Sequence, residues 1–250
     1  MSHSDHIPQA GRILVWDLPL RLFHWFLVAA IAVAFLSAEE GSVLNQWHIA
    51  SGWVAAVLIA FRLVWGFVGG EHARFSGAFK GGGLAVHIKE MFRLKPEATL
   101  GHNPVGWIAS FLLIVVSGIT IATGAQLVTG GAMASEDLHE LVGWSLLALV
   151  ALHVAAVALM SVLTRDNLVR AMIVGSKSGA RHSAFKSARA PSLFAYMAGL
   201  AAIASAIWGV ITIDPQAFMP RTTEMAEIES GETDEVEMLR EESSVEEVDK

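Results

Sequence analysis

The chain contains no cysteine. That excludes covalent c-type haem attachment, cysteine-ligated iron–sulfur clusters, thiolate zinc sites and disulfides, whichever compartment its loops face. Charge is also scarce. Asp, Glu, Lys and Arg make up 16% of 250 residues, against about 25% in a soluble domain. No glycine-rich nucleotide loop, nucleophile triad or carboxylate pair at catalytic spacing occurs, and no nucleic-acid partner is expected.

What is present is apolar. Hydrophobic residues reach 54%, and mean hydropathy is +0.51. Five runs are long enough to cross a hydrocarbon core of about 30 Å, which takes roughly 20 helical residues. They are expected at Leu18–Ala38, Trp47–Val68, Pro104–Leu127, His139–Leu163 and Ser192–Ile213. Backbone groups in lipid must be satisfied within the segment, so these are helices, with Pro104 suited to a first turn. The first ten residues are polar and no A-x-A-like cleavage site follows the first run. It reads as a retained span rather than a signal peptide.

Basic residues sit in alternate connections. Arg74, Lys80, Lys89, Arg93 and Lys95 follow the second span; Arg165, Arg170, Lys177, Arg181, Lys186 and Arg189 follow the fourth. The connections at 39–46 and 128–138 contain no Lys or Arg. The positive-inside rule then puts the N-terminus and both basic connections in the cytoplasm, and the C-terminus outside. Beyond Ile213 the chain carries thirteen acidic residues against Arg221, Arg240 and Lys250, a net of −10. Such a segment reads as a solvated tail or as an acidic docking arm for a basic partner.

Two motifs repeat at matching places, H-I-A-S-G-W from His48 and H-E-L-V-G-W from His139, each opening an apolar span. His153 lies fourteen residues after His139, about 21 Å along a helix and near the same face. His24 lies about six residues into the first span, matching the expected depth of His153. Ionisable residues in spans are costly and need a reason. The pairs His48 with His139 and His24 with His153 fit two bis-histidine haems at different depths, held noncovalently and hence b-type. Gly52 and Gly143, four residues after His48 and His139, would clear the ligand face for a porphyrin. As packing residues they would also suit helix contacts in a membrane.

The ordered set V-W-D-L-P-L-R-L-F-H-W (Val15–Trp25), H-I-A-S-G-W, F-R-L-V-W-G-F (Phe61–Phe67), G-H-N-P-V-G-W (Gly101–Trp107) and the His139/His153 pair resembles the bacterial cytochrome b(561)-like family. That family includes the membrane cytochrome b subunits of nickel–iron hydrogenases and formate dehydrogenases. The resemblance covers roughly Val15–Leu163. It implies a four-helix di-haem b core exchanging electrons with quinone, ligated by His24, His48, His139 and His153. The expected fold is therefore an all-α integral membrane protein: a cytoplasmic segment 1–17, a four-helix di-haem core 18–163, a basic connection 164–191, a fifth span 192–213 and an acidic periplasmic tail 214–250. The fifth span and tail depart from the four-helix core.

Other polar residues carry weaker signals. Arg62 and Arg21 either snorkel to the headgroups or pair with haem propionates. Trp16, Trp25, Trp47, Trp53, Trp65, Trp107 and Trp144 lie near span ends, where an aromatic belt accounts for most of them. His102 and Asn103 either cap the third span or contact a quinone carbonyl. His72, His87 and His182 are expected to face solvent, His3 and His6 fall in a sparse polar leader, and the Lys80–Lys95 stretch is amphipathic. The composite expectation is a cytochrome of the bacterial cytoplasmic membrane, in contact with lipid and quinone or quinol. It would pass electrons to or from a periplasmic redox protein: a cytochrome c, or a dehydrogenase or hydrogenase subunit. A stand-alone superoxide:quinone oxidoreductase and a non-redox anchor subunit are the alternatives.

Overall fold

A computed structural model describes residues 11–38, 44–79, 101, 104–131, 135–178 and 186–221. His3, His6, Glu39, Glu40, the Lys80–Lys95 stretch with His87, His102, Asn103, His182 and the tail from Thr222 to Lys250 lie outside the described residues.

The five long helices are α1 (Leu18–Ser37), α2 (His48–Val68), α3 (Pro104–Val128), α4 (Glu136–Thr164) and α6 (Leu193–Ile213). All five are long and apolar enough to cross a membrane. Their starts follow capping chemistry. Asp17 Oδ1 accepts the Leu20 amide of α1 at 2.8 Å, and Ser192 Oγ accepts the Ala195 amide of α6 at 3.2 Å. Helix α4 begins at Glu136 rather than at the expected His139. Ser135 Oγ accepts the Leu138 amide, and Glu136 and Asp137 complement the helix dipole in the first turn. The fold class expected from the sequence, an all-α integral membrane protein, is the one observed.

Five smaller elements among the described residues were not expected, two of them the 3-10 helices Asn45–Trp47 and Phe75–Phe79. Strand β1 (Arg12–Leu14) pairs antiparallel with β2 (Ser176–Ser178), matching Ile13 with Lys177. Between α4 and β2 lies the short helix α5 (Leu168–Val174). Asn167 caps it, and Gly175 ends it at φ 80°, in the left-handed region that favours glycine. The basic connection is therefore partly ordered, and periodicity over three- and seven-residue elements is too short to reveal them.

The chain divides into two compact units, and every long helix contributes to both. One comprises Met1–His24, Phe61–Leu113 and Ala148–Ala202; the other comprises Trp25–Ala60, Ile114–Leu147 and Ile203–Lys250.

In the first unit Asp17 is the knot. Besides capping α1, its carboxylate accepts the Trp65 indole N–H at 3.1 Å and the Gly70 amide at 3.1 Å. Trp65, 1% exposed, stacks on Phe61 and meets Tyr196 edge-on. Lys177, counted among the basic residues of its connection, is buried beside Asp166 at 3.8 Å. Burial lowers its ammonium pKa and Asp166 opposes the shift. His72, expected to face solvent, is half-buried and meets Trp16 edge-on. Burial holds its imidazole pKa below the ordinary value, with Glu71 opposing and Lys177 reinforcing.

In the second unit Ile49, Trp53, Val57, Val210 and Ala217 form a core. Ala217 belongs to the stretch after α6 that reads by composition as tail, yet Asp214, Ala217 and Arg221 are buried. Asp214 and Arg221 form a buried ion pair, and the Trp53 indole N–H donates to Asp214 Oδ2 at 2.7 Å. Removing one member of such a pair costs about 3–5 kcal/mol, because it strands the other charge.

The aromatic belt needs correcting for the same reason. Trp16, Trp53, Trp65 and Trp107 are buried core residues, and only Trp25, Trp47 and Trp144 of the seven are exposed. A buried indole N–H requires an acceptor, which Asp17 and Asp214 supply to Trp65 and Trp53. Exposed side chains such as Leu36, Phe67, Val162, Phe194 and Trp208 cover the helices outside, a surface suited to lipid rather than water.

Asp17→Ala should lower stability by about 2 kcal/mol, through the lost cap and two orphaned donors. A detergent-unfolding titration checks this, and an unchanged midpoint would show that Asp17 does not tie α1 to α2.

Candidate functional site

The second unit brings His48 and His139 together. Their ring centres are 6.1 Å apart and their planes perpendicular. Each ring is held through its Nδ1. His48 Nδ1 lies 2.8 Å from the Ala34 carbonyl of α1, an acceptor only, so Nδ1 carries the proton and Nε2 keeps a free lone pair. His139 Nδ1 lies 3.0 Å from Thr123 Oγ1. That hydroxyl also lies 3.1 and 2.9 Å from the Ile119 and Thr120 carbonyls one turn back along α3; when its proton goes to either carbonyl, its oxygen accepts the His139 Nδ1–H. Hydrogen bonding of this kind fixes tautomer and ring direction for metal-ligating histidines.

The glycines separate into two roles. At Gly124 an added Cβ would stand 2.9 Å from His139 Cε1, so its absence lets α3 lie against the ring. At Gly52 and Gly143 an added Cβ would meet nothing within 4 Å. Both therefore border open space, as a planar group beside the histidines would need. Among the described residues no three His, Asp or Glu side chains converge on a bare ion. Two imidazoles flanked by open space fit an iron whose other ligands come from a porphyrin.

The first unit holds His24 and His153. Both are half-buried, and His24 lies within electrostatic reach of His153. Arg62 belongs to this unit and is 4% exposed, so it does not snorkel. Its guanidinium lies 4.7 Å from the centre of the Phe75 ring, within reach of Asp17's charge. Its buried Nη1 has no hydrogen-bond partner among the described residues. A buried N–H left without an acceptor costs about 1–3 kcal/mol, and an anionic group such as a carboxylate fits this Nη1. Arg21 differs: its Nη1 donates to the Ile173 carbonyl of α5 at 2.5 Å, and its buried Nε has no partner among the described residues.

Thr123, Gly124, Ala34, Phe75 and Asp17 were not picked out by sequence reasoning. A threonine and glycine side by side in an otherwise apolar span were the one available signal for the first two.

The prokaryotic cytochrome b561 family matches residues 15–175, and the chain belongs to it. It is a membrane cytochrome of the haem b type. Similar curated proteins are a probable Ni/Fe-hydrogenase B-type cytochrome subunit of Azotobacter chroococcum mcd 1, 25% identical over 228 residues, covering 69% of this chain and 91% of that protein; the subunit of the same name in Rhizobium leguminosarum bv. viciae, 24% identical, covering 70% and 93%; and the probable Ni/Fe-hydrogenase 1 B-type cytochrome subunit of Escherichia coli K12, 23% identical, covering 66% and 90%. No solved structure matches significantly.

Gly124→Leu should displace the His139 ring and lower bound haem per chain, read from the absorbance of the purified protein. Gly209→Leu on α6, where an added Cβ likewise meets nothing within 4 Å, should leave haem content unchanged. Equal haem in both variants would remove Gly124 from the site.

Proposed function

We propose that this protein carries electrons across the bacterial cytoplasmic membrane, through two haem b groups, between the quinone pool and a periplasmic redox partner. The observation that supports it most is the His48/His139 pair, whose ring centres lie 6.1 Å apart with Nδ1 of His48 on the Ala34 carbonyl and Nδ1 of His139 on the Thr123 hydroxyl. His24 and His153 form the second pair. His139 and His153 stand fourteen residues apart on α4, about 21 Å along one continuous helix. Bound haem would cycle its iron between two oxidation states without opening a ligand position, and so would move single electrons.

The chain's own residues divide the remaining work. Gly52 and Gly143 leave room for the ring planes, and Arg62, with Arg21 in a lesser role, pairs with propionates. Guanidinium geometry suits a carboxylate, and the orphaned Arg62 Nη1 supplies the donor. By the charge of its connections, the chain has a cytoplasmic N-terminus and a periplasmic C-terminus, which puts the His24/His153 pair on the cytoplasmic side. Quinone would exchange there, with His102 and Asn103 toward its headgroup.

The periplasmic partner is read as a nickel–iron hydrogenase, after the names of the similar curated proteins. Glu136, Asp137 and Glu140 are exposed around His139, and Glu39, Glu40 and the acidic tail add charge of the same sign. Such a face favours a basic docking surface, and its steering is screened over about 8 Å at physiological salt.

His48→Ala and His139→Ala should each remove one and the same haem, and His24→Ala and His153→Ala the other. Redox-resolved spectra of the four variants check this. A His48→Ala protein retaining both haems, or one matching His24→Ala, would refute the pairing.

A further inference from the structure

His48 is the first residue of α2, and helix ends are where backbone order is weakest. A haem ligand at that position needs anchoring from outside its own helix. The hydrogen bond to Ala34 anchors the ring. The backbone before it is held by another part of the chain: the Arg221 amide donates to the Gln46 carbonyl at 2.6 Å, two residues before His48. Arg221 is itself fixed by its buried ion pair with Asp214. Asp214 continues α6 through its amide, bonded to the Val210 carbonyl at 2.8 Å. Its carboxylate also accepts the Trp53 indole N–H, five residues after His48, and the Gln216 amide at 3.1 Å. The stretch 214–221 thus grips α2 on both sides of the ligand.

We propose that Asp214 and Arg221 are positioning residues for the His48-ligated haem, forming a latch that sets the orientation of that ligand. All of the contacts lie within one unit. The latch lies beyond residues 15–175, the part of the chain that the family matches. A charge pair excluded from water also acts on the iron more strongly than the same pair in solvent. The latch therefore influences this haem through ligand geometry and through field. The proposal rests on His48 being a haem ligand.

The test uses the full-length purified protein, with redox titration and low-temperature electron paramagnetic resonance. The His48-dependent haem is identified as the one lost in His48→Ala. In Arg221→Met and Asp214→Asn its midpoint potential and low-spin signal should shift, while the other haem stays as in the wild type. Arg221→Lys, which keeps a cation for Asp214, should restore most of the wild-type signal. Truncation after Arg221 should leave both haems unchanged, and truncation after Ile213 should reproduce Arg221→Met. If Arg221→Met does not accumulate, Trp53→Phe, which removes only the indole donor, should give a smaller shift in the same haem. Unchanged spectra in the point variants, equal shifts in both haems, or no rescue by Arg221→Lys would each overturn the latch. A wild-type protein without a His48-dependent haem would instead overturn the ligand reading beneath it.

Discussion

An imidazole inside an apolar helix bundle must place both of its nitrogens. One nitrogen carries a proton that needs an acceptor, and the other carries a lone pair that needs a donor or a metal. In the second unit the acceptors are the Ala34 carbonyl for His48 and the Thr123 hydroxyl for His139. Much of the surrounding structure follows from this pairing. Helix α3 approaches closely because Gly124 has no side chain, and the helix carrying Thr123 is thereby brought to the ring. At Gly52 and Gly143 an added Cβ would meet nothing within 4 Å. Buried polar groups in low-dielectric surroundings are costly when half-satisfied, so the second nitrogen of each ring calls for a donor or a metal.

The first unit meets the same constraint with charge instead of neutral polar groups. Asp17 satisfies a helix start, an indole and a backbone amide at once. Arg62 is enclosed rather than raised to the headgroups, and its Nη1 calls for an anionic partner. Asp17 is held by the three donors it accepts, and Arg62 Nη1 is left to bind a group from outside the described residues.

The spans were legible because composition over about 20 residues is a strong signal, and the observed helices start and end within a few residues of expectation. The approach of His48 to His139 was legible because a helix converts spacing into depth, and their ring centres lie 6.1 Å apart. What escaped depended on contacts between distant positions. Nothing local marks Asp214 and Arg221 as a buried pair when they sit at the start of an acidic stretch. Nothing local makes Trp53 and Trp65 core residues rather than belt residues. The β1–β2 pairing joins segments about 165 residues apart in the chain, and its elements are too short to show periodicity. His72 looked solvent-facing for the same reason, since its neighbour Trp16 lies far away in sequence.

The central claim is that two histidine pairs hold two low-spin haems in one chain. Its most direct measurement is haem and iron per polypeptide in the purified protein, with electron paramagnetic resonance of the oxidised state. Two irons per chain, both low-spin with bis-histidine signatures and no high-spin component, is the expected result. One haem per chain, or a stable high-spin haem with an open ligand position, would contradict it.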